Sequence, residues 1–339
     1  MTVSGVGVKR GSCNMASLRK ATVISVQRGL HGSKNTTEHS RQQPKELTKK
    51  LWSELLPRLE YVLSDCDGVL WHSNLVVSGA RDTFRKLREY GLKVGFVTNN
   101  STKSKAGLLD KFKQMNFQIT PREIFCVNNL TASYLQSRKV KGRVYMLGTE
   151  ALQNELEGAG LRCNPPGPDL ADGHPQSWLD MKMDTDVEAV VLGFDYHFSM
   201  AKVCRACTYL ARPNCHFIAS EADVRVFEKN SSGIVLPSTG AILAAIEAAA
   251  GRRAVIIGKP STTMIEMIRR EYPEIRSDNT LFIGDYLHTD IAFGAKNGFT
   301  TLLVETGMHS RHDLTQVKDS SLKPTFYTKS IADIFAFMQ

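Results

Sequence analysis

The stretch 61-YVLSDCDGVLW-71 begins as a short apolar run and breaks off at two aspartates with one residue between them. Its first residues, Tyr61, Val62 and Leu63, have the composition of a buried strand. Side chains at i and i+2 of extended backbone point the same way, so Asp65 and Asp67 can address one ligand. Gly68 follows at once, and Asp-Gly is also turn chemistry. Taken alone, the stretch is compatible with a turn, a metal site or a cap.

Outward from it, short β-branched runs recur at 93–97, 124–127, 143–147, 188–194, 215–219, 254–258, 280–284 and 300–304. Segments with helical spacing lie between them, such as 79–91, 103–116, 199–211 and 240–251. This alternation predicts an α/β protein, a doubly wound and mainly parallel sheet with helices on both faces. No repeat of about 20 to 50 residues is present, which excludes a solenoid.

Of the 339 residues, 42% are hydrophobic, enough to build one or two sizeable cores. No window reaches the roughly 20 consecutive apolar residues of a membrane span, and the N-terminus has no secretory apolar core. A cytoplasmic protein without a membrane partner is expected. Seven cysteines, an odd number scattered along the chain, do not make a disulfide framework.

The net charge of +9 is unevenly spread, because residues 1–50 hold ten Lys or Arg against two acids while the remaining 289 hold 33 bases against 32 acids. The body is nearly neutral, so no nucleic-acid partner is expected. Residues 1–46 read as a basic disordered tail. A mitochondrial presequence within residues 1–37 is the sharper alternative, since such segments are basic, Ser-rich and poor in acids, but Met15 to Leu30 makes only a weak amphipathic helix.

Four predicted strands end in unusual polar groups: Asp65-Cys66-Asp67-Gly68, Thr98-Asn99-Asn100-Ser101, Lys259-Pro260, and Asp285 followed by Asp290. In open α/β sheets the ligand crevice lies beyond the carboxyl ends of the strands, so these endings can converge. Each alone has a plainer explanation, a turn for one and a helix cap for another. Gly258-Lys259-Pro260-Ser261 fails as a Walker motif, because its spacing from Gly251 is wrong and proline follows the lysine. Jointly their chemistry is coherent. One carboxylate can attack while another handles a proton, and several carboxylates in one crevice repel unless a hard divalent cation, favouring Mg²⁺, sits among them. Lys259 adds positive charge, and Thr98 and Asn99 supply neutral donors, which suits a phosphoryl group.

The motifs DCDGVLW, TNNST, GKPS and GDYLHTDI, in this order, resemble those of the haloacid dehalogenase superfamily, in the branch of p-nitrophenyl, phosphoglycolate and pyridoxal phosphate phosphatases. The resemblance spans about residues 51–339. It implies a phosphatase for small phosphorylated metabolites, with Asp65 as nucleophile and Asp67 as general acid and base. It also implies Mg²⁺ held by the Asp65 carboxylate, the Asp67 carbonyl and Asp285, with Asp290 in support. Thr98, Asn99 and Asn100 would position phosphate, and Lys259 would balance charge.

Roughly 150 residues separate Asn100 from Lys259, too many for one crossover, so they must contain an inserted domain. The expected division is a catalytic core of residues 47–140 and 255–339 with an insert of 141–254. By resemblance the insert is an α/β cap that closes over the site, sets specificity and pairs into a homodimer. Departures from the family pattern lie mainly there: Ser220-Glu221 replaces Thr-Asn, and Pro237-Ser238-Thr239-Gly240 replaces Pro-Gly-Thr-Gly. Beside the predicted metal site, Tyr286 and His288 also depart from it. Arg225 stands where phosphoglycolate-cleaving relatives carry arginine and is a candidate for a substrate carboxylate. Cys204 and Cys207 have zinc-like spacing but lie in a helical pattern without a second ligand pair, which favours packing.

Overall fold

The computed structural model describes residues 43–169, 171, 174–226 and 234–339. The presequence reading and nearly all of the predicted tail fall outside the described residues. Seven strands form one sheet in the order Lys45–Glu46, Phe326–Thr328, Thr300–Val304, Thr280–Gly284, Tyr61–Ser64, Lys93–Thr98 and Ile124–Cys126. Every pairing in it is parallel. Its central strands are almost wholly buried, which is why they read as continuous apolar runs instead of alternating ones.

From Tyr61–Ser64 the chain works outward through Lys93–Thr98 to Ile124–Cys126, then returns as Thr280–Gly284 and works outward the other way. Strand order therefore reverses between Tyr61–Ser64 and Thr280–Gly284, the kind of switch point at which ligand crevices open. Ser64 pairs with both Ile283 and Phe96, so Asp65, Asp285 and the Thr98–Ser101 turn leave one edge of the sheet together.

A second, five-stranded parallel sheet runs in the order Val255–Ile256, His216–Ala219, Val187–Leu192, Arg143–Leu147 and Arg162–Cys163. Two short antiparallel pairs complete the pattern, Trp71–His72 with Leu75–Val76 and Arg225–Val226 with Leu236–Pro237. The sheets share apolar packing: Leu63, Val97 and Phe125 of the first belong to one buried cluster with Val144, Met146 and Ile218 of the second. The helices Val127–Ser137 and Thr262–Glu271 fill the space between through Leu130, Leu135, Met264 and Ile268.

Two expected boundaries shift. Lys45–Glu46, assigned above to the tail, is the outer strand beside Phe326 and Tyr327, and Leu47 after it is buried. A two-residue edge strand has no periodicity to detect. Val255–Ile256, assigned above to the core, pairs instead with Ile218 and Ala219 of the second sheet. That pairing runs on, as Ile257 N–H donates to the Ala219 carbonyl at 2.9 Å and Gly258 N–H to the Ser220 carbonyl at 2.8 Å. Lys259 is thus carried to the edge of the first sheet where Asp65 and Asp285 emerge, on the end of a second-sheet strand.

Candidate active site

Lys259 is the hub, 2% exposed, with its ammonium donating to Asp65 Oδ1 at 2.7 Å, Asp290 Oδ1 at 2.8 Å and the Val97 carbonyl at 2.9 Å. Burial alone works against its charge, but Asp290 and Asp65 more than offset that, and the ammonium holds its proton above the usual lysine range. Asp290 is fully engaged: its Oδ2 accepts the backbone N–H groups of Asp285 at 3.1 Å and Tyr286 at 3.0 Å. A wide π-type turn, Leu287–Ile291, folds it back onto its own strand end.

Asp65, Asp285 and Asp290 each present an oxygen within 4.8 Å of the others. Burial, opposed by Lys259 and reinforced by Asp290, pushes the Asp65 carboxyl up to about 7. Burial followed by Asp290 and Asp65 raises Asp285 well above the ordinary carboxyl range. Three buried carboxylates against one ammonium leave a surplus of negative charge, and an all-oxygen donor set suits Mg²⁺. The backbone keeps this space open. Gly68 turns with φ +86°, and a Cβ there or on Gly307 would run into the Asp285 carboxylate. The residues therefore fit a hard divalent cation.

Asp67 sits at the mouth, where its Oδ1 accepts the Trp71 indole N–H at 2.8 Å and its Oδ2 lies 3.4 Å from Asn100 Nδ2. Thr98, 2% exposed, accepts the Asn100 N–H at 3.1 Å. Asn99 was expected to present its side chain to phosphate, but its amide is engaged elsewhere. Its Oδ1 accepts Lys259 N–H at 2.8 Å, and its Nδ2 donates to the Lys259 carbonyl at 2.9 Å and to Asp223 Oδ2 at 3.0 Å. It fixes the lysine's backbone to the strand end beside it.

The cap-loop departures meet each other in space. Ser238 donates to Glu221 Oε1 at 3.4 Å, Ser101 donates to the same oxygen at 3.5 Å, and the Asp223 N–H donates to Oε2. Glu221 is 1% exposed, and burial, then Asp223, pushes its carboxyl up to about 8. Asp223 and Glu221 thus join the second sheet's loop to the Thr98–Ser101 turn, a link invisible in sequence because its partners lie more than a hundred residues apart. Arg225 is exposed on its short strand and makes none of these contacts. His288 is exposed beside Tyr286, which stacks on His309 with centroids 5.1 Å apart. Cys66 is buried and its thiol is pushed up by burial, while Cys204 and Cys207 are partly buried free thiols on the Met200–Leu210 helix.

A strand-end aspartate pair, a buried lysine and a second carboxylate pair thus surround one crevice. A family model described as haloacid dehalogenase-like hydrolase matches residues 62–162, and one described as HAD-hydrolase-like matches 256–334. The chain belongs to the haloacid dehalogenase-like hydrolases, and within them to the phosphoric monoester hydrolases. It is 37% identical to mouse glycerol-3-phosphate phosphatase over 300 residues, covering 84% of this chain and 92% of that protein. Human chronophin is 36% identical over 291 residues, covering 83% and 94%. Among solved structures, p-nitrophenyl phosphatase from Archaeoglobus fulgidus superposes with a TM-score of 0.70 at 27% identity, covering 83% of this chain and all of that one. The interval between the two family matches carries the Val187–Leu192 and His216–Ala219 strands of the second sheet.

Two outcomes follow from these contacts. Lys259→Met strands Asp65 and Asp290 without their counter-charge, and should lower stability in urea by about 3–5 kcal/mol in metal-free buffer, besides ending turnover. Because the Glu221 carboxyl is raised in the fold, its contribution to stability is full below its ordinary value of 4.5 and lost as pH climbs toward about 8. Glu221→Gln should therefore flatten the decline of Tm between those two pH values, whereas an unchanged slope means the carboxyl is not raised.

Proposed function

We propose that this chain is a Mg²⁺-dependent phosphatase of small phosphomonoesters that works through an aspartyl-phosphate on Asp65. The observation that supports this most is the ammonium of Lys259 held between Asp65 and Asp290, with Asp285 in the same carboxylate cluster. Asp65 attacks phosphorus, Asp67 protonates the leaving oxygen and then takes a proton from the attacking water, and Lys259 neutralises charge on the nucleophile and phosphoryl oxygens. Asp65 and Asp285, with the Asp67 carbonyl, would hold Mg²⁺, which supplies screening of the carboxylates and of the phosphate. Asn100 and the Thr98 turn position the phosphoryl group, with Asn99 acting through the lysine loop.

For the substrate we propose a small phosphorylated metabolite of the size of glycerol 3-phosphate or 2-phosphoglycolate, with aryl phosphates as surrogates. Relatives named glycerol-3-phosphate phosphatase support the first of these, and Arg225 motivates the second. A pyridoxal phosphate-like substrate is one alternative reading, and a catalytically weak paralogue that binds a phosphometabolite with negligible hydrolysis is the other. Pairing through the cap is part of the same proposal, since Val224 and Ile234 are 61% and 65% exposed beside the Arg225 strand pair. Light scattering should then give twice the monomer mass, falling to one in Val224→Asp.

The direct test is release of phosphate from p-nitrophenyl phosphate, glycerol 3-phosphate and 2-phosphoglycolate with and without Mg²⁺. Asp65→Asn should lose at least about a thousandfold in kcat on every ester. Arg225→Ala should lose about tenfold in kcat/KM on phosphoglycolate alone. Turnover that survives Asp65→Asn sinks the mechanism, and equal loss on all esters sinks the role of Arg225.

A further inference from the structure

Asp67 is gripped more closely at Oδ1 than at Oδ2. Gly68 reverses the chain directly after it, and the loop closes through Gly68 N–H to the Trp71 carbonyl and Leu70 N–H to the Cys66 carbonyl, both at 2.8 Å. The indole four residues on is thereby folded back onto its own aspartate. Trp71 is 0% exposed and cannot swing, because its ring packs edge-on against Phe112 at 4.8 Å and Phe117 at 5.9 Å between centroids.

The neighbouring helix, Lys105–Gln114, supplies the second part. Lys111 immediately precedes Phe112, and its ammonium lies 4.5 Å from the Trp71 ring centroid and 3.6 Å from Asp67 Oδ1. Its side chain is only 12% exposed, whereas that of Asp67 is 49% exposed. Asn100 completes the frame: Thr102 N–H and hydroxyl donate to Asn100 Oδ1 at 3.0 and 2.8 Å, which turns its Nδ2 toward Asp67 Oδ2.

We propose that Trp71 and Lys111 are positioning residues that clamp Asp67 Oδ1 and so make Oδ2 the oxygen that exchanges protons with the ester and with water. The inference rests on the reading of Asp67 as general acid and base given above. The indole N–H at 2.8 Å and the ammonium at 3.6 Å both address Oδ1, whereas Oδ2 meets only the longer 3.4 Å contact from Asn100 Nδ2, so Oδ2 is the oxygen left available to the ester and to water. In the first step a bond forms between an Asp65 oxygen and phosphorus and the ester P–O bond breaks. Its electron pair stays on the leaving oxygen, which takes the proton from Oδ2. In the second, a water oxygen bonds to phosphorus, its proton passes to Oδ2, and the P–O bond to Asp65 breaks to restore both groups. A clamp on one oxygen keeps the other aimed through both steps, which a freely rotating carboxyl at a solvent-exposed mouth would not do.

The test compares two esters of nearly equal shape, phenyl phosphate and p-nitrophenyl phosphate, whose leaving groups differ in their need for a proton. The readout is the ratio of their kcat/KM values, which reports the step that breaks the ester bond. Asp67→Asn should raise the p-nitrophenyl preference by about a hundredfold, the scale of general-acid catalysis. Lys111→Met and Trp71→Phe should each raise it by about three- to tenfold, with Lys111→Arg within about twofold of wild type. Equal losses on both esters in Lys111→Met overturn the clamp while the Asp67→Asn ratio still stands. A flat ratio in Asp67→Asn overturns the underlying acid role instead. Should Trp71→Phe fail to fold, Lys111→Met decides the matter, since it removes the ammonium and leaves every ring of the aromatic cluster in place.

Discussion

An ammonium placed between two buried carboxylates is the constraint that organises this molecule. Lys259 carries one charge into a region where Asp65, Asp285 and Asp290 would otherwise repel one another without compensation. Everything near it keeps that charge in place: the Val97 carbonyl takes its third proton, Asn99 holds its backbone from both sides, and Asp290 is itself pinned by two N–H groups. A buried pair of this kind contributes little net stability once desolvation is counted. Its effect is to keep Asp65 close to a fixed positive charge, so that under the proposed mechanism little reorganisation is needed when the phosphoryl group comes in.

Much of this was legible from residues alone. All nine expected strands have counterparts displaced by at most two residues at an end, because strands buried on both faces show as unbroken β-branched runs. Three of the four polar endings meet because parallel register places the ends of Tyr61–Ser64, Lys93–Thr98 and Thr280–Gly284 on one edge, and the fourth, Lys259, reaches them from a second-sheet strand. The edge strand Lys45–Glu46 escaped notice for the opposite reason, being two residues long and carrying no pattern.

The contacts that refine the site were not legible, and the reason is geometric. Trp71 lies inside the stretch that set the fold, yet only the positive φ of Gly68 shows that its ring returns to Asp67. Lys111 looks like any basic residue in the last turn of a helix. Glu221 and Ser238 each stood out as departures, but nothing in the sequence says that one hydroxyl faces the other's carboxylate. The Thr98-Asn99-Asn100 run suggested three phosphate contacts, whereas the amide of Asn99 is engaged by the lysine loop and Asp223. Residue type points to chemistry, and the partner decides which part of it is used.

The strand Val255–Ile256 pairs with the second sheet and ends three residues before Lys259, whose ammonium lies against Asp65 at the end of a first-sheet strand. The two sheets are therefore not separable modules joined by passive hinges. A chimera cut at residues 141 and 254 would divide the second sheet, leaving its last strand with the recipient and the lysine's alignment to an unfamiliar neighbour. Exchange of specificity between relatives is cleaner when the transplanted piece extends past Pro260 and brings its own lysine and the partner of Asn99 along with it. The fold thus sets the unit in which such enzymes can trade parts, and that unit is larger than the insert.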